Sequence, residues 1–262
     1  MLKARQKLGK YKIEQRLANG PLAAVYRAYD TVQGMRVALK IPHRRFMDEY
    51  FLQDFRKEAR LSTKLEHPCI LPIHNADFIG GYFVISMPLG EETLGDRLTR
   101  RISTAKALEF TAQIIAAVAH AHAQNIIHCD IKPENFILFD RDRLRLTDFG
   151  FAKLGRGRID ASGSGTVGYV APEQAMGRPM FQSDVFSTGL VLFRMFAGRL
   201  PRWPYDWPPA GAARLRQKLS PSMIRLIRRA IEIDPEERFP DAGRLQTAFN
   251  RIRNPAARRA VT

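Results

Sequence analysis

The pattern of apolar residues changes near residue 90, and this change limits the folds that the chain can adopt. Before it, short β-type runs alternate with turn residues, and one helical pattern covers about residues 50–65; the runs are "AAVYRAYD", "RVALKIP" and "GYFVISM". After it, three long segments have apolar residues at helical spacing: "ISTAKALEFTAQIIAAVAHAHAQN", "SDVFSTGLVLFRMFAG" and "SPSMIRLIRRAIEI". The sequence therefore predicts an α+β fold, with a small β-rich part followed by a larger helical part.

Capping residues predict where two of these helices begin and end. Ser183 or Asp184 would lie near the start of the second helix, and Gly198 would end it. Ser220 would cap the third helix, with Pro221 at its first position. The segment "PRWPYDWPPAG", residues 201–211, has four prolines and two tryptophans and predicts an irregular surface segment.

The net charge of the chain is strongly positive, with 42 Lys and Arg residues against 26 Asp and Glu residues, or +16. Such a charge fits a nucleic-acid or anionic-membrane partner, or a solvated basic surface that attracts nucleotides and acidic substrates. The basic residues are scattered, and no aromatic-interleaved basic strand of the RNA-binding type is present. This distribution favours the solvated surface, and nucleic-acid binding stays as an alternative.

Cysteine content and hydropathy suggest a cytoplasmic location. Only Cys69 and Cys129 occur, so we expect no disulfide framework and a reducing compartment. No uncharged apolar run reaches about 18 residues, so the sequence predicts no transmembrane segment. The basic first residues lack the apolar core of a secretory signal.

The segment "IIHCDIKPENFIL", residues 126–138 and here called the candidate catalytic loop, carries polar residues at a spacing that suits phosphoryl transfer. Such transfer requires an oriented hydroxyl and charge on the phosphate oxygens, with little covalent help from the protein. Asp130 is the candidate base, and Lys132 can stabilise the transferring group. Asn135 and Asp148, the latter in "LTDFG", offer the hard oxygen ligands that Mg²⁺ prefers.

A second charged pair is expected in the β-rich part. Lys40 ends the run "RVALK" and can neutralise nucleotide phosphates if an acidic residue holds it in place. Glu58, on the intervening helix, is the natural ion-pair partner. Each residue alone fits an ordinary surface position, and the order of all the motifs together carries the interpretation.

With these motifs and "APE" at residues 171–173, the chain closely resembles the protein kinase family over about residues 10–253. It looks most like the eukaryotic-like Ser/Thr protein kinases of bacteria. The resemblance implies the bilobal kinase fold, ATP with Mg²⁺ (or Mn²⁺), and protein substrates phosphorylated on Ser or Thr. It also implies that Thr166 bridges Asp130 and Lys132, that Arg238 pairs with Glu173, and that Asp184 braces the candidate catalytic loop.

The same resemblance places the nucleotide. Backbone groups of Met87 and Leu89 would bind the base, which four apolar side chains would enclose: Leu17, Val25, Ala38 and Ile137. The glycine-rich phosphate loop of the family maps onto Ala18, Gly20, Ala23 and Val25, so only the middle glycine is kept. Pro21 also removes an amide at the tip of this loop.

A further departure is Cys129, where the family signature has arginine. That arginine typically pairs with a phosphorylated activation-loop residue, and cysteine cannot hold a phosphate charge. Since the base and the metal ligands are kept, Cys129 indicates a change of control rather than loss of activity. Kinases of the dual-specificity tyrosine-regulated class, which the motif also resembles, are active with cysteine there. We expect Cys129 to be a small buried side chain.

The sequence therefore predicts an active Ser/Thr protein kinase in a single domain of residues 1–262. Within it, we expect an N-lobe at about 10–89, a C-lobe at 90–253 and a basic tail at 254–262. The main alternative is a pseudokinase scaffold that binds ATP weakly because of its altered phosphate loop. A small-molecule kinase of related fold is a further alternative, and the oligomeric state is not predicted.

Overall fold

The computed structural model describes residues 2–47, 49–149, 153–154 and 168–254. Its contacts divide the chain into two compact units. The first contains residues up to Glu66 together with Ile70–Glu91, and the second contains His67–Cys69 together with the described residues from Glu92 onward. In the described part of the chain, no helix is both long and apolar enough to cross a bilayer.

The first unit is built on a six-stranded antiparallel sheet and one long helix. The order of the strands in the sheet is β1-β2-β3-β4-β6-β5. The elements are β1 (Lys7–Leu8), β2 (Tyr11–Asn19), β3 (Ala23–Asp30), β4 (Met35–Pro42), α1 (Glu49–Lys64), β5 (Asn75–Ile79) and β6 (Tyr82–Pro88). Three of these strands and the helix confirm the predictions, whereas β2 was not predicted because its polar residues hide the alternation.

One face of this sheet carries the core of the first unit. Side chains from neighbouring strands meet there, among them Tyr11, Tyr26, Leu39 and Ile41. Because successive residues of a strand point to opposite faces, Lys40 lies on the other face of the sheet. The sheet therefore separates an apolar core from the face that carries the candidate phosphate-binding lysine.

The second unit is mainly helical, and it contains two small sheets. Strand order β10-β9-β7 forms one sheet and β11-β8 the other. The elements are β7 (Glu92–Thr93), α2 (Leu94–Arg97), α3 (Thr104–Ala123), β8 (Ile126–Ile127), β9 (Phe136–Phe139), β10 (Arg143–Leu146), β11 (Lys153–Leu154), α4 (Pro172–Ala175), α5 (Phe181–Ala197), α6 (Ala212–Lys218), α7 (Pro221–Ala230) and α8 (Ala242–Arg253).

The residues predicted near the ends of α5 and α7 lie there in the structure. Ser220 caps α7 by accepting from the amide of Met223, and Pro221 follows it. Gly198 ends α5 with a φ of 78°. Ser183 and Asp184 lie in the first turn of α5, near its start as predicted, and the helix itself begins at Phe181. Both are buried: the hydroxyl of Ser183 accepts from the amide of the N-cap residue Met180 and donates to Glu173, whereas Asp184 binds the candidate catalytic loop.

The segment at residues 201–211 is irregular, as predicted, and contains no helix or strand. Trp203 is 65% exposed. Trp207 is half-buried, and the guanidinium of Arg228 lies over its ring. The two tryptophans therefore differ in environment, and the one on the surface is Trp203.

Candidate functional site

The predicted ion pair of the first unit is present. The ammonium group of Lys40 lies 2.7 and 2.8 Å from the two carboxylate oxygens of Glu58. Both side chains are largely buried, with 14% and 7% exposed. Moving Lys40 away from Glu58 would leave a buried charge without its partner, which is strongly destabilising. Glu58 therefore fixes the position of Lys40.

The residues predicted to enclose the base lie on several elements. In the first unit, Val25 is opposite Lys40 and Ala38 is opposite Met87 in the sheet register, so these side chains share the face that carries Lys40. Leu89 follows β6 and is half-buried. Two further residues occupy less regular positions: Leu17 is exposed beside a register shift of β2, and Ile137 lies on β9 of the second unit.

The predicted phosphate loop is the turn between β2 and β3. Ala18 pairs with Val25, and the amide of Gly20 donates to the carbonyl of Ala23 over 3.0 Å. Neither Ala18, Gly20 nor Pro21 has a positive φ. The backbone of this turn is therefore one that residues other than glycine adopt, and this explains how the chain accommodates so few glycines here.

In the second unit, the β9–β10 hairpin brings the two predicted metal ligands to one end of a sheet. Phe136 pairs with Leu146, so Asn135 and Asp148 flank the open end of the hairpin. The amide of Thr147 donates to the carbonyl of Asn135 over 2.9 Å. Asp148 has a φ of 68°, a left-handed conformation that is uncommon outside glycine and recurs at functional sites.

Asp130 is buried and bound by the two residues expected to work with it. Its carboxylate accepts from Lys132 over 2.8 Å and from the side-chain amide of Asn135 over 2.9 Å. Burial raises the pKa of the Asp130 carboxyl above its usual value, and the charge and hydrogen bond of Lys132 oppose this. A raised pKa suits a general base, because proton transfer is most efficient when the pKa lies nearer to the working pH.

The donor set fits a magnesium ion. Asn135 uses its side-chain nitrogen to bind Asp130, which leaves its side-chain oxygen available for a metal. Asp148 would add a carboxylate. Mg²⁺ is usually held by one or two protein oxygen ligands together with substrate phosphates and water, and the pair Asn135 and Asp148 matches that number and type of ligand.

Asp184 braces the candidate catalytic loop, as the resemblance implied. Its carboxylate accepts from the amides of His128 over 2.6 Å and Cys129 over 2.9 Å. His122, which sequence reasoning missed, donates to the same carboxylate over 3.0 Å while its other ring nitrogen accepts from the amide of Ala242. The sequence offers no signal for this contact, because the partners lie 62 residues apart on different helices.

Cys129 is a small buried side chain, as predicted, with 3% exposed. It has a φ of 67°, and its carbonyl accepts from the side-chain amide of Gln174 over 2.6 Å. Gln174 follows the "APE" segment and was also missed by the sequence analysis. The backbone around Cys129 is therefore fixed by Asp184 on one side and Gln174 on the other.

The predicted pair of Glu173 and Arg238 is bidentate, with distances of 2.7 and 3.0 Å. Arg238 is 1% exposed, and its remaining donors bind carbonyl oxygens of Gln182, Glu232 and Ile233. The buried guanidinium is thus fully satisfied, which offsets the cost of burying its charge. Thr166, by contrast, lies outside the described residues.

Comparison with known families identifies the class of protein to which this site belongs. The sequence model for the protein kinase domain matches residues 11–249. The chain therefore belongs to the protein kinase family.

Curated relatives from bacteria carry the same family assignment in their names. The chain is 32% identical to serine/threonine-protein kinase PrkC of Bacillus subtilis over 95% of its length, and 34% identical to PknA of Mycobacterium tuberculosis over 74%. It is 31% identical to PksC of Streptomyces coelicolor over 93%. The chain spans less than half the length of these relatives, at 42%, 48% and 49%.

Solved structures show the same fold. A double mutant of the Mycobacterium tuberculosis PknI kinase domain matches with a TM-score of 0.75 over 97% of this chain and 100% of that one. A second structure of the PknI kinase domain matches with a TM-score of 0.71 over 95% of this chain and 99% of that one. At 23% and 24% identity these matches establish the fold, which is the protein kinase fold that the sequence predicted.

Proposed function

We propose that this chain is the catalytic domain of an active protein serine/threonine kinase. The names of its relatives support this activity. The observation that carries it is the arrangement around Asp130, which is buried and bonded to both Lys132 and Asn135. We also propose that residues 1–262 form one kinase domain, with lobes at about 10–89 and 90–253 and a basic tail at 254–262.

The residues have distinct roles in this proposal. Asp130 accepts the proton of a substrate Ser or Thr hydroxyl, whose oxygen forms a bond to the γ-phosphorus of ATP. The bond from that phosphorus to ADP breaks, and its electron pair leaves with ADP. Lys132 stabilises charge on the transferring group, and Lys40, held by Glu58, binds phosphate oxygens.

Asn135 and Asp148 would hold Mg²⁺, or Mn²⁺ as a substitute, and the metal supplies positive charge to the phosphate oxygens. Val25, Ala38, Met87, Leu89, Ile137 and Leu17 would contact the adenine ring, and Ala18, Gly20 and Ala23 would shape the loop over the phosphates. The need for ATP and the two cysteines, neither of which forms a disulfide, support a cytoplasmic location.

The test is transfer of labelled phosphate from ATP to a generic basic protein, with site mapping by mass spectrometry. We expect Asp130→Asn to lower kcat by at least about 10²-fold, because a positioned base typically contributes that much. Lys40→Met should remove most transfer as well. The control is Asp140→Asn, which changes the same charge at an exposed position.

A wild-type protein that binds ATP but transfers no more phosphate than Asp130→Asn would identify a pseudokinase scaffold instead. Wild-type turnover in Asp130→Asn would show that another group accepts the proton.

A further inference from the structure

The tip of the predicted phosphate loop, residues Gly20–Leu22, is bound through its carbonyl oxygens. The ring nitrogen Nε2 of His43 lies 2.8 Å from the carbonyl oxygen of Gly20. The guanidinium of Arg45 donates to the carbonyl oxygen of Pro21 over 3.1 Å. The backbone amide of His43 donates to the carbonyl oxygen of Leu22 over 2.9 Å. Three successive carbonyls of the tip therefore accept hydrogen bonds from two residues that follow β4.

These bonds hold the tip in one conformation. A carbonyl oxygen only accepts, so Nε2 of His43 carries the hydrogen in this contact. The amide of Gly20 closes the turn by donating to Ala23. With Pro21 fixed in φ by its ring as well, the tip is restrained by side chains and by proline rather than left flexible by glycine.

The restraint also sets the direction of the remaining amide. A trans peptide is planar, and its C=O and N–H point in opposite directions. Since the carbonyl of Pro21 points to Arg45, the N–H of Leu22 points away from Arg45. Pro21 has no N–H, so Leu22 contributes the donor at the centre of the tip.

The donors come from a cleft that lies on the far side of the sheet from Lys40. This cleft, of about 590 Å³, is lined by Gly20, Pro21, His43 and Arg45 and by apolar side chains that include Tyr26 and Ile41. Tyr26 and Ile41 belong to the core face of the sheet, whereas Lys40 occupies the other face. His43 and Arg45 therefore reach the tip from behind, without sharing the face proposed to bind phosphate.

We propose that His43 and Arg45 are positioning residues for the nucleotide phosphates: they hold the tip so that the N–H of Leu22 is available to a phosphate oxygen. This proposal rests on the proposed kinase function. It gives the glycine-poor loop a way to bind phosphate, because a restrained tip loses less conformational freedom when ATP binds.

The experiment compares His43→Ala/Arg45→Ala with Arg44→Ala. Arg44 is the matched control, because it precedes Arg45, carries the same charge and bonds to the hydroxyl of Tyr82 rather than to the tip. We expect the double variant to raise the KM for ATP by about tenfold, from the loss of two hydrogen bonds, and to change kcat by less than about twofold. His43→Gln and Arg45→Lys, which keep a donor, should recover part of the loss.

A second readout does not need kinase activity. Amide hydrogen exchange at residues 20–23, measured without nucleotide, should be faster in the double variant and unchanged in Arg44→Ala. If the wild-type protein transfers no phosphate, the proposed function fails, and the dissociation constant for ATP replaces KM as the test of the tip. An ATP affinity within twofold of wild type, or equal loss in Arg44→Ala, overturns the positioning role.

Discussion

The candidate catalytic loop and the loop tip at Gly20–Leu22 are both fixed by distant side chains, but through opposite backbone groups. Asp184 binds amide N–H groups of the catalytic loop, whereas His43 and Arg45 bind carbonyl oxygens of the tip. Asp184 is fully buried, while Arg45 is exposed. Because water competes for exposed hydrogen bonds and not for buried ones, we expect substitutions to have larger effects on the catalytic loop.

Among the side chains that hold the two loops in place, the largest effect should come from Asp184→Asn, which keeps the shape of the side chain. The amide group can accept at one oxygen only, so at least one of the donors from His122, His128 and Cys129 is left buried without a partner. We expect kcat to fall by about 10²-fold as the loop loses its geometry, and the free energy of unfolding to fall by about 3 kcal/mol. Steady-state kinetics and urea unfolding measure the two effects.

Asp206→Asn is the control, since it removes the same charge at an exposed position. A folded Asp184→Asn protein with wild-type kcat would show that the catalytic loop keeps its geometry without this carboxylate. The expectation that substitutions have larger effects on the catalytic loop than on the tip would then be wrong.

The sequence predicted the residues of both loops better than the contacts that hold them. The spacing of Asp130, Asn135 and Asp148 was informative, because chemistry requires those residue types near one another. His122, Gln174, His43 and Arg45 gave no comparable signal, since their contacts depend on how segments far apart in sequence pack.

The same reason explains the outcome for secondary structure. Strands β3, β4 and β6 and helices α3 and α7 follow from apolar periodicity and capping. Strand β2 was missed because most of its residues are polar and exposed. Ser183 and Asp184 lie near the start of α5 as predicted, but the contact of Ser183 with Glu173 was not predicted, since its partner lies on another helix.

A smaller effect is expected from phosphorylation of the activation segment, where Ser162 and Ser164 are candidate sites outside the described residues. If Asp184 and Gln174 order the loop around Cys129, a phosphate on these serines is not needed for that order. We expect phosphatase treatment, or Ser162→Ala/Ser164→Ala, to change the initial rate on a peptide by less than about tenfold, or 1.4 kcal/mol. A loss of about a hundredfold would mean that another basic group binds the phosphate.

Cys129→Arg sharpens this measurement. It restores the residue of the family signature, and we expect the variant to stay active and to gain dependence on phosphorylation. A variant whose rate is equally insensitive to phosphatase would show that residue 129 does not control the response.

The smallest effect is expected at the tip, from Ala18→Gly/Pro21→Ser. Serine at position 21 keeps the carbonyl that binds Arg45 and adds an N–H. Because the carbonyl of Gly20 points to His43, that new N–H points away from His43 and joins the N–H of Leu22 as a donor. Glycine at position 18 adds little, since Ala18 already has an ordinary backbone conformation.

We therefore expect the KM for ATP to fall by about fivefold, which corresponds to about 1 kcal/mol, the contribution of one hydrogen bond. Pro21→Ala separates the amide from the hydroxyl, and it should give nearly the same decrease. An unchanged or higher KM in both proteins would show that the N–H groups of the tip do not reach phosphate. In that case the hydrogen bonds from His43 and Arg45 would stabilise the turn without contributing to nucleotide binding.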